Sequence, residues 1–254
     1  MVDAYAASPV ASSPARPILV TPTIRVGDVL SGSWRLFVSR FGSFTALALV
    51  AFAPHLLFVL LAPSGAASAI FPVLSYILEV ACTSIAHAAI IYGVIQVLRG
   101  RGFTFGESMR IGLGRFGPIL GLSLLVGVLA VLGLILLIVP GFIVATMFAV
   151  AIPVCVAERA GVGASMKRSA FLTKGNRWRI FAITLLVAFA TSFVVGFIVA
   201  FLARLEGAMV AALVRYPMVA TLGAFNAVVA GVLYHQLRMA KEGVDIEKIA
   251  AVFD

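Results

Sequence analysis

From Gly117 to Ala157 the chain runs for 41 residues without one charged side chain. A single helix needs only about 20 apolar residues to cross a bilayer, so the run is long enough to cross twice. Its solvent is lipid, and it has to turn. Pro140-Gly141, near the middle, is the turn signal, because proline ends a helix and glycine takes the turn. The run therefore predicts a hairpin of two spans, residues 118–139 and 142–157.

Four more uncharged or nearly uncharged runs follow the same rule: residues 43–62, 69–98, 180–203 and 217–237. The second is long, about 45 Å as a straight helix, and is expected to tilt or to project beyond the hydrocarbon layer. Only 11% of the chain is charged and 62% is hydrophobic, where a soluble domain carries about 25% charge. The expected fold is all-α: a polytopic helical bundle of six transmembrane helices, with two or three interfacial amphipathic helices.

The few charges are lopsided, 19 Lys and Arg against 10 Asp and Glu, for a net charge of +9. Seventeen of the 19 cations fall in residues 1–42, 99–116, 158–179 and 238–254, and the opposite side holds only Arg204 and Arg215. An even number of spans with both termini on the basic side satisfies the positive-inside rule. Both ends are therefore expected in the cytoplasm; the resemblance given below implies that the membrane is a bacterial cytoplasmic (inner) membrane. A charge confined to one membrane face does not suit nucleic acid; it suits anionic headgroups.

Residues 1–23, rich in Ala, Ser and Pro, lack the basic start and apolar core of a signal peptide and are expected to be a disordered tail. Residues 238–254 read as a cytoplasmic C-terminal tail, and residues 24–237 as the membrane domain. Cys82 and Cys155 both lie inside spans and read as small buried apolar residues, so no disulfide framework is expected.

The basic segments repeat a pattern. Val26-Gly27-Asp28-Val29-Leu30 precedes Arg40-Phe41; Phe105-Gly106-Glu107-Ser108-Met109 precedes Arg115-Phe116; Val162-Gly163-Ala164-Ser165-Met166 precedes Arg177-Trp178. Ser33 and Ser169 stand six residues beyond their glycines. The implied unit is an amphipathic helix followed by a two-span hairpin, used three times, with interfacial helices over residues 24–40, 104–115 and 162–175. Their cations, Arg35, Arg40, Arg110, Arg115, Lys167, Arg168, Lys174, Arg177 and Arg179, are candidate contacts for anionic lipid. They also serve as ordinary topology determinants.

The stretch Leu136-Leu137-Ile138-Val139-Pro140-Gly141, then Ala151-Ile152-Pro153-Val154, Glu158 and Ser165-Met166-Lys167-Arg168-Ser169, resembles a widespread bacterial family of six-span proteins. So does the ending Tyr234-His235-Gln236-Leu237-Arg238 with Glu242-Gly243-Val244-Asp245. That family is similar to the membrane domain found N-terminal to some glycerophosphoryl diester phosphodiesterases. The resemblance implies a membrane module without the activity: six spans leave no room for the separate catalytic barrel, and the His-Arg pair and Glu cluster of that chemistry are missing.

Glu79 is the only carboxylate inside a span, and so the first functional suspect. Thr83 and His87 follow at four-residue steps and climb one side of the same helix over about 12 Å. With Asn226 they form the candidate intramembrane polar site. Such a set can relay a proton or hold a cation, and it can equally serve as polar glue between helices. His55, next to Pro54, reads as satisfying the carbonyl that the proline frees. No P-loop, no His-Glu-x-x-His metal spacing and no Gly-x-Ser-x-Gly elbow occurs. No metal, cofactor or enzyme activity is expected. The favoured reading is a non-catalytic module that meets lipid headgroups and a protein partner or a second copy of itself. The alternative is a small transporter or lipid-flipping component with Glu79 and His87 in a mid-membrane cavity.

Overall fold

The computed structural model describes residues 24–61, 70–136, 138–202 and 208–250. The tail expected over residues 1–23 lies outside them. The described residues form ten helical segments and no strand: α1 (Val26–Ser39), α2 (Phe41–Leu60), α3 (Ile70–Leu98), α4 (Phe105–Gly114), α5 (Phe116–Leu136), α6 (Ile138–Met147), α7 (Ala151–Ala157), α8 (Val162–Thr173), α9 (Arg177–Leu202) and α10 (Ala208–Ala250). Six stretches are long and apolar enough to cross a membrane: Phe41–Leu60, Ile70–Leu98, Phe116–Gly133, Pro140–Ala157, Arg177–Phe201 and Leu213–Gly243. The molecule is an all-α, multi-pass membrane bundle.

Proline sets the breaks, one turn away from where its position in the sequence suggests. A proline ring clashes with the carbonyl four residues earlier. For Pro140 that carbonyl belongs to Leu136, the last residue of α5, and Pro140 itself sits in the first turn of α6. There its missing N–H costs nothing, because first-turn N–H groups have no helical partner. The reversal expected at Pro140-Gly141 is thus displaced toward α5. Pro153 does the same to Ala149: the span expected as one helix over residues 142–157 is split into α6 and α7 by a turn at residues 148–150. The freed Met147 carbonyl is taken by Ser169 Oγ at 2.8 Å and Thr173 Oγ1 at 3.3 Å, both from α8. Pro72, in the first turn of α3, leaves that helix whole.

α3 is the hub. It packs against α2, α4, α5, α7 and α10, and 56% of its span is buried inside the protein, against 11% for α5 and 17% for α9. Where the backbones meet, small residues permit it, as expected for helices that gain no hydrophobic drive from leaving lipid. A side chain at Gly231 would run into Val94 of α3, and one at Gly112 into the Ile85 carbonyl. Gly133 of α5 faces Gly141 of α6 in the same way. Gly127 and Gly223 have no such neighbour among the described residues. Outward, Phe189, Phe193, Phe197 and Phe201 follow one another along the exposed side of α9.

The three short helices share one design. Two residues beyond the glycine, Val29, Ser108 and Ser165 are fully buried. Six beyond it, Ser33, Gly112 and Ser169 are buried too. The glycines themselves, Gly27, Gly106 and Gly163, are exposed. Positions two and six lie one helical turn apart on one face, and that face packs α1 on α10, α4 on α3 and α8 on α7. Thr104 starts α4 by accepting from the Glu107 N–H at 3.3 Å, which satisfies one orphan donor of the first turn. Finally, α10 does not stop at residue 237: it continues as helix to Ala250, about 65 Å in all at 1.5 Å per residue.

Candidate functional site

Charge is arranged differently at the two ends of the bundle. At the basic end, the turn after α7 places Glu158 within reach of two elements. Arg168 of α8 donates from Nε to Glu158 Oε1 at 3.1 Å, and from Nη2 to Glu242 of α10. Arg238, one turn before Glu242, donates to its other oxygen at 2.5 Å. Tyr234, buried on α10, closes the set by donating its hydroxyl to Glu158 Oε1 at 3.0 Å. Burial alone would lower the Arg168 pKa, but the Glu242 and Glu158 carboxylates outweigh it and hold the guanidinium above its ordinary value. The Arg168 and Lys241 cations both approach the Phe171 ring, at 5.7 and 5.6 Å from its centre. The arrangement ties α7, α8 and α10 together.

These are residues that sequence reasoning treated separately. Glu158, Tyr234, Arg238 and Glu242 were legible only as parts of the stretches that carry the family resemblance, although the four-residue spacing of Arg238 and Glu242 marks them as neighbours on one helix face. Arg168, expected as a lipid contact, is instead committed inside the protein. Arg115 donates to the Arg159 carbonyl at 3.2 Å, and Arg179 to Asn176 Oδ1 at 3.1 Å. The rest of the set stands apart: Arg35, Arg40, Arg110, Lys167, Lys174 and Arg177 are exposed and make no ion pair or side-chain hydrogen bond among the described residues. Meanwhile the carboxylate of Glu107 is occupied by the Tyr92 hydroxyl.

Beside Arg177 lies a groove of about 310 Å³ between α6 and α9, lined by Phe142, Ile143, Thr146, Arg177, Trp178 and Phe181. Phe181 meets Phe142 and Trp178 edge to face. Trp178 is 82% exposed. An apolar trough with a cation and an indole at one end is the pattern of an interface-facing surface.

At the other end, α2, α3 and α10 enclose a half-open cavity of about 300 Å³. Its walls are Phe52, Leu56, Val59, Phe71 and Val219; its polar groups come from His55, Ser75, Glu79, Arg215 and Tyr216. Glu79 stands 19 residues before the end of α3, about 28 Å along the helix from the basic end. His55 Nε2 and Ser75 Oγ are 3.2 Å apart. Tyr216 donates its hydroxyl to the Leu49 carbonyl, five residues before Pro54 in α2. The ring of His55 is therefore paired with Ser75 rather than with a carbonyl that Pro54 frees.

The expected polar site is not assembled as a unit. Of Glu79, Thr83, His87 and Asn226, only Glu79 lines the cavity. Thr83 donates to the Glu79 carbonyl at 2.8 Å, and Asn226 Nδ2 to the Leu222 carbonyl at 2.9 Å, each within its own helix. His87 lies beside the Gly223 backbone of α10. One cavity neighbour of Glu79 is legible in the opposite direction along α3: Ser75 stands four residues before it, on the same face. His55 and Arg215 come from other helices, which no spacing within one segment can reveal.

Among the described residues, no three His, Cys, Asp or Glu side chains gather as a metal site. Cys82 and Cys155 are buried free thiols. Compared with protein-family models, curated proteins and solved structures, the chain matches none.

Proposed function

We propose that the protein is a non-catalytic lipid-binding module of a bacterial cytoplasmic membrane, with both termini in the cytoplasm. Its basic end holds anionic headgroups. The observation that carries this reading is the split within one set of cations: Arg168 is neutralised by Glu158 and Glu242, while Lys174 and Arg177, a few residues on, are exposed without a protein counter-ion among the described residues. A phosphate fits beside Lys174 and Arg177, and an acyl chain fits the apolar groove of Phe142, Ile143 and Phe181. Each cation near an anionic surface contributes about 1 kcal/mol. The resemblance to the membrane domain of certain phosphodiesterases agrees with a module that serves lipid chemistry carried out elsewhere.

Native mass spectrometry of the detergent-purified protein, with phosphatidylglycerol and phosphatidylcholine added in equal amounts, tests this. The wild-type protein retains phosphatidylglycerol in preference. Combined Lys174→Glu and Arg177→Glu removes about 2 kcal/mol or more of attraction, roughly a thirtyfold loss of that preference. Equal retention by the doubly reversed protein overturns the proposal.

A further inference from the structure

We infer that the cavity between α2, α3 and α10 is a binding site for a zwitterion, a molecule carrying an ammonium group and a phosphate or carboxylate a few bonds apart. The inference concerns the end of the bundle away from the basic groove and does not rest on anionic lipid binding there.

Glu79 and Arg215 line the same cavity, yet they do not form an ion pair with each other or with any described residue. Neither side chain makes a hydrogen bond among those residues. A carboxylate well inside a membrane-spanning helix, as Glu79 is in α3, is costly, and one that serves only structure is paired or bonded to backbone; Arg215 lines the cavity from near the start of its span and is exposed. At the basic end of the same protein that rule is obeyed by every charge in the Glu158, Arg168, Arg238 and Glu242 set. A carboxylate and a guanidinium held in one cavity without meeting leave a negative and a positive position for a guest to fill. An ammonium placed at Glu79 and an anion at Arg215 satisfy both, and no singly charged guest does. A planar guanidinium suits a phosphate or carboxylate through two parallel N–H donors.

The remaining groups fit the same guest. His55 and Ser75, already 3.2 Å apart, offer further hydrogen-bonding positions in the same cavity. Tyr216 is committed to the Leu49 carbonyl, so it shapes the wall rather than binding. Phe52, Leu56, Val59, Phe71 and Val219 supply the apolar part of the wall. A volume of about 300 Å³ is at the small end of ligand pockets. It takes a headgroup-sized molecule and not a whole lipid. The guest is then either the headgroup of an aminophospholipid whose chains remain in the bilayer or a free molecule of the same chemistry.

The test uses the full chain in detergent micelles, with phosphatidylethanolamine and phosphatidylglycerol supplied together and retention read by native mass spectrometry. Free phosphoethanolamine serves as competitor. The wild-type protein retains phosphatidylethanolamine at this site at least tenfold better than Glu79→Gln or Arg215→Gln does, while Arg177→Glu leaves that retention unchanged. Displacement by free phosphoethanolamine identifies the soluble zwitterion as a guest; retention that the free compound does not displace identifies the lipid headgroup. Val219→Trp, which fills the cavity and keeps both charges, decides the matter if either charge variant fails to fold: it abolishes retention. The inference is overturned if the wild-type protein binds neither probe, or if folded Glu79→Gln, Arg215→Gln or Val219→Trp binds as the wild type does. An effect of Arg177→Glu on phosphatidylglycerol alone leaves the two sites independent.

Discussion

The two ends of the bundle hold the same kinds of charged side chain and treat them in opposite ways. At the basic end, two carboxylates, two guanidiniums and a phenol close on one another and fasten α7, α8 and α10. At the far end, Glu79 and Arg215 line one cavity and stay apart. Closed sets carry structure: removing one member leaves its partner without compensation, so the loss is felt as stability. Open sets carry recognition: removing a member relieves an uncompensated charge, so the loss is felt as binding.

That contrast orders the effects of mutation. Arg168→Glu is the most damaging change, because it gathers three carboxylates where one guanidinium had bridged two; little folded protein is expected, as measured by size-exclusion chromatography in detergent. Arg168→Gln keeps length and loses charge, and it costs about 1–3 kcal/mol. Gly231→Leu is next, since even a Cβ there would meet Val94; overpacking of this kind costs about 1–3 kcal/mol. Gly223→Ala, with nothing near its Cβ, is tolerated. The smallest effect is Lys167→Gln, an exposed cation outside the network, whose thermal transition stays within about 0.5 kcal/mol of wild type. A Lys167→Gln protein as unstable as Arg168→Gln would mean that charge at this end acts by total number and not by pairing.

Much of the fold was legible in the sequence because bilayer thickness imposes a length on every span, and uncharged runs are unmistakable at 11% charge. The errors cluster at prolines. Pro140 marks a turn in the sequence, but its ring acts on Leu136, so that turn moved; Pro153 sits inside what reads as one span, yet its ring acts on Ala149, so one helix became two. The repeat was visible through Gly27, Gly106 and Gly163, but the residues that matter to packing are two and six places further on. Val29 shares only burial with Ser108 and Ser165. The candidate site was legible in its first member alone. Glu79 stands out because no other span read from the sequence holds a carboxylate; His55 and Arg215 arrive from α2 and α10, and only the tertiary packing brings them into its cavity. Similarly, nothing in the local pattern separates Arg168 from Lys167, though one is bound twice and the other makes no ion pair or side-chain hydrogen bond among the described residues.

The contrast between closed and open charge is tested most directly by thermal unfolding of Arg168→Gln and Glu79→Gln side by side, in one detergent and without added lipid. Pairing at the basic end predicts that Arg168→Gln melts several degrees below wild type, at roughly 2–4 °C per kcal/mol for a chain of this size, while Glu79→Gln melts at or above it. A Glu79→Gln protein that loses as much as Arg168→Gln would show that Glu79 is held by the fold, and the division between the two ends would fail.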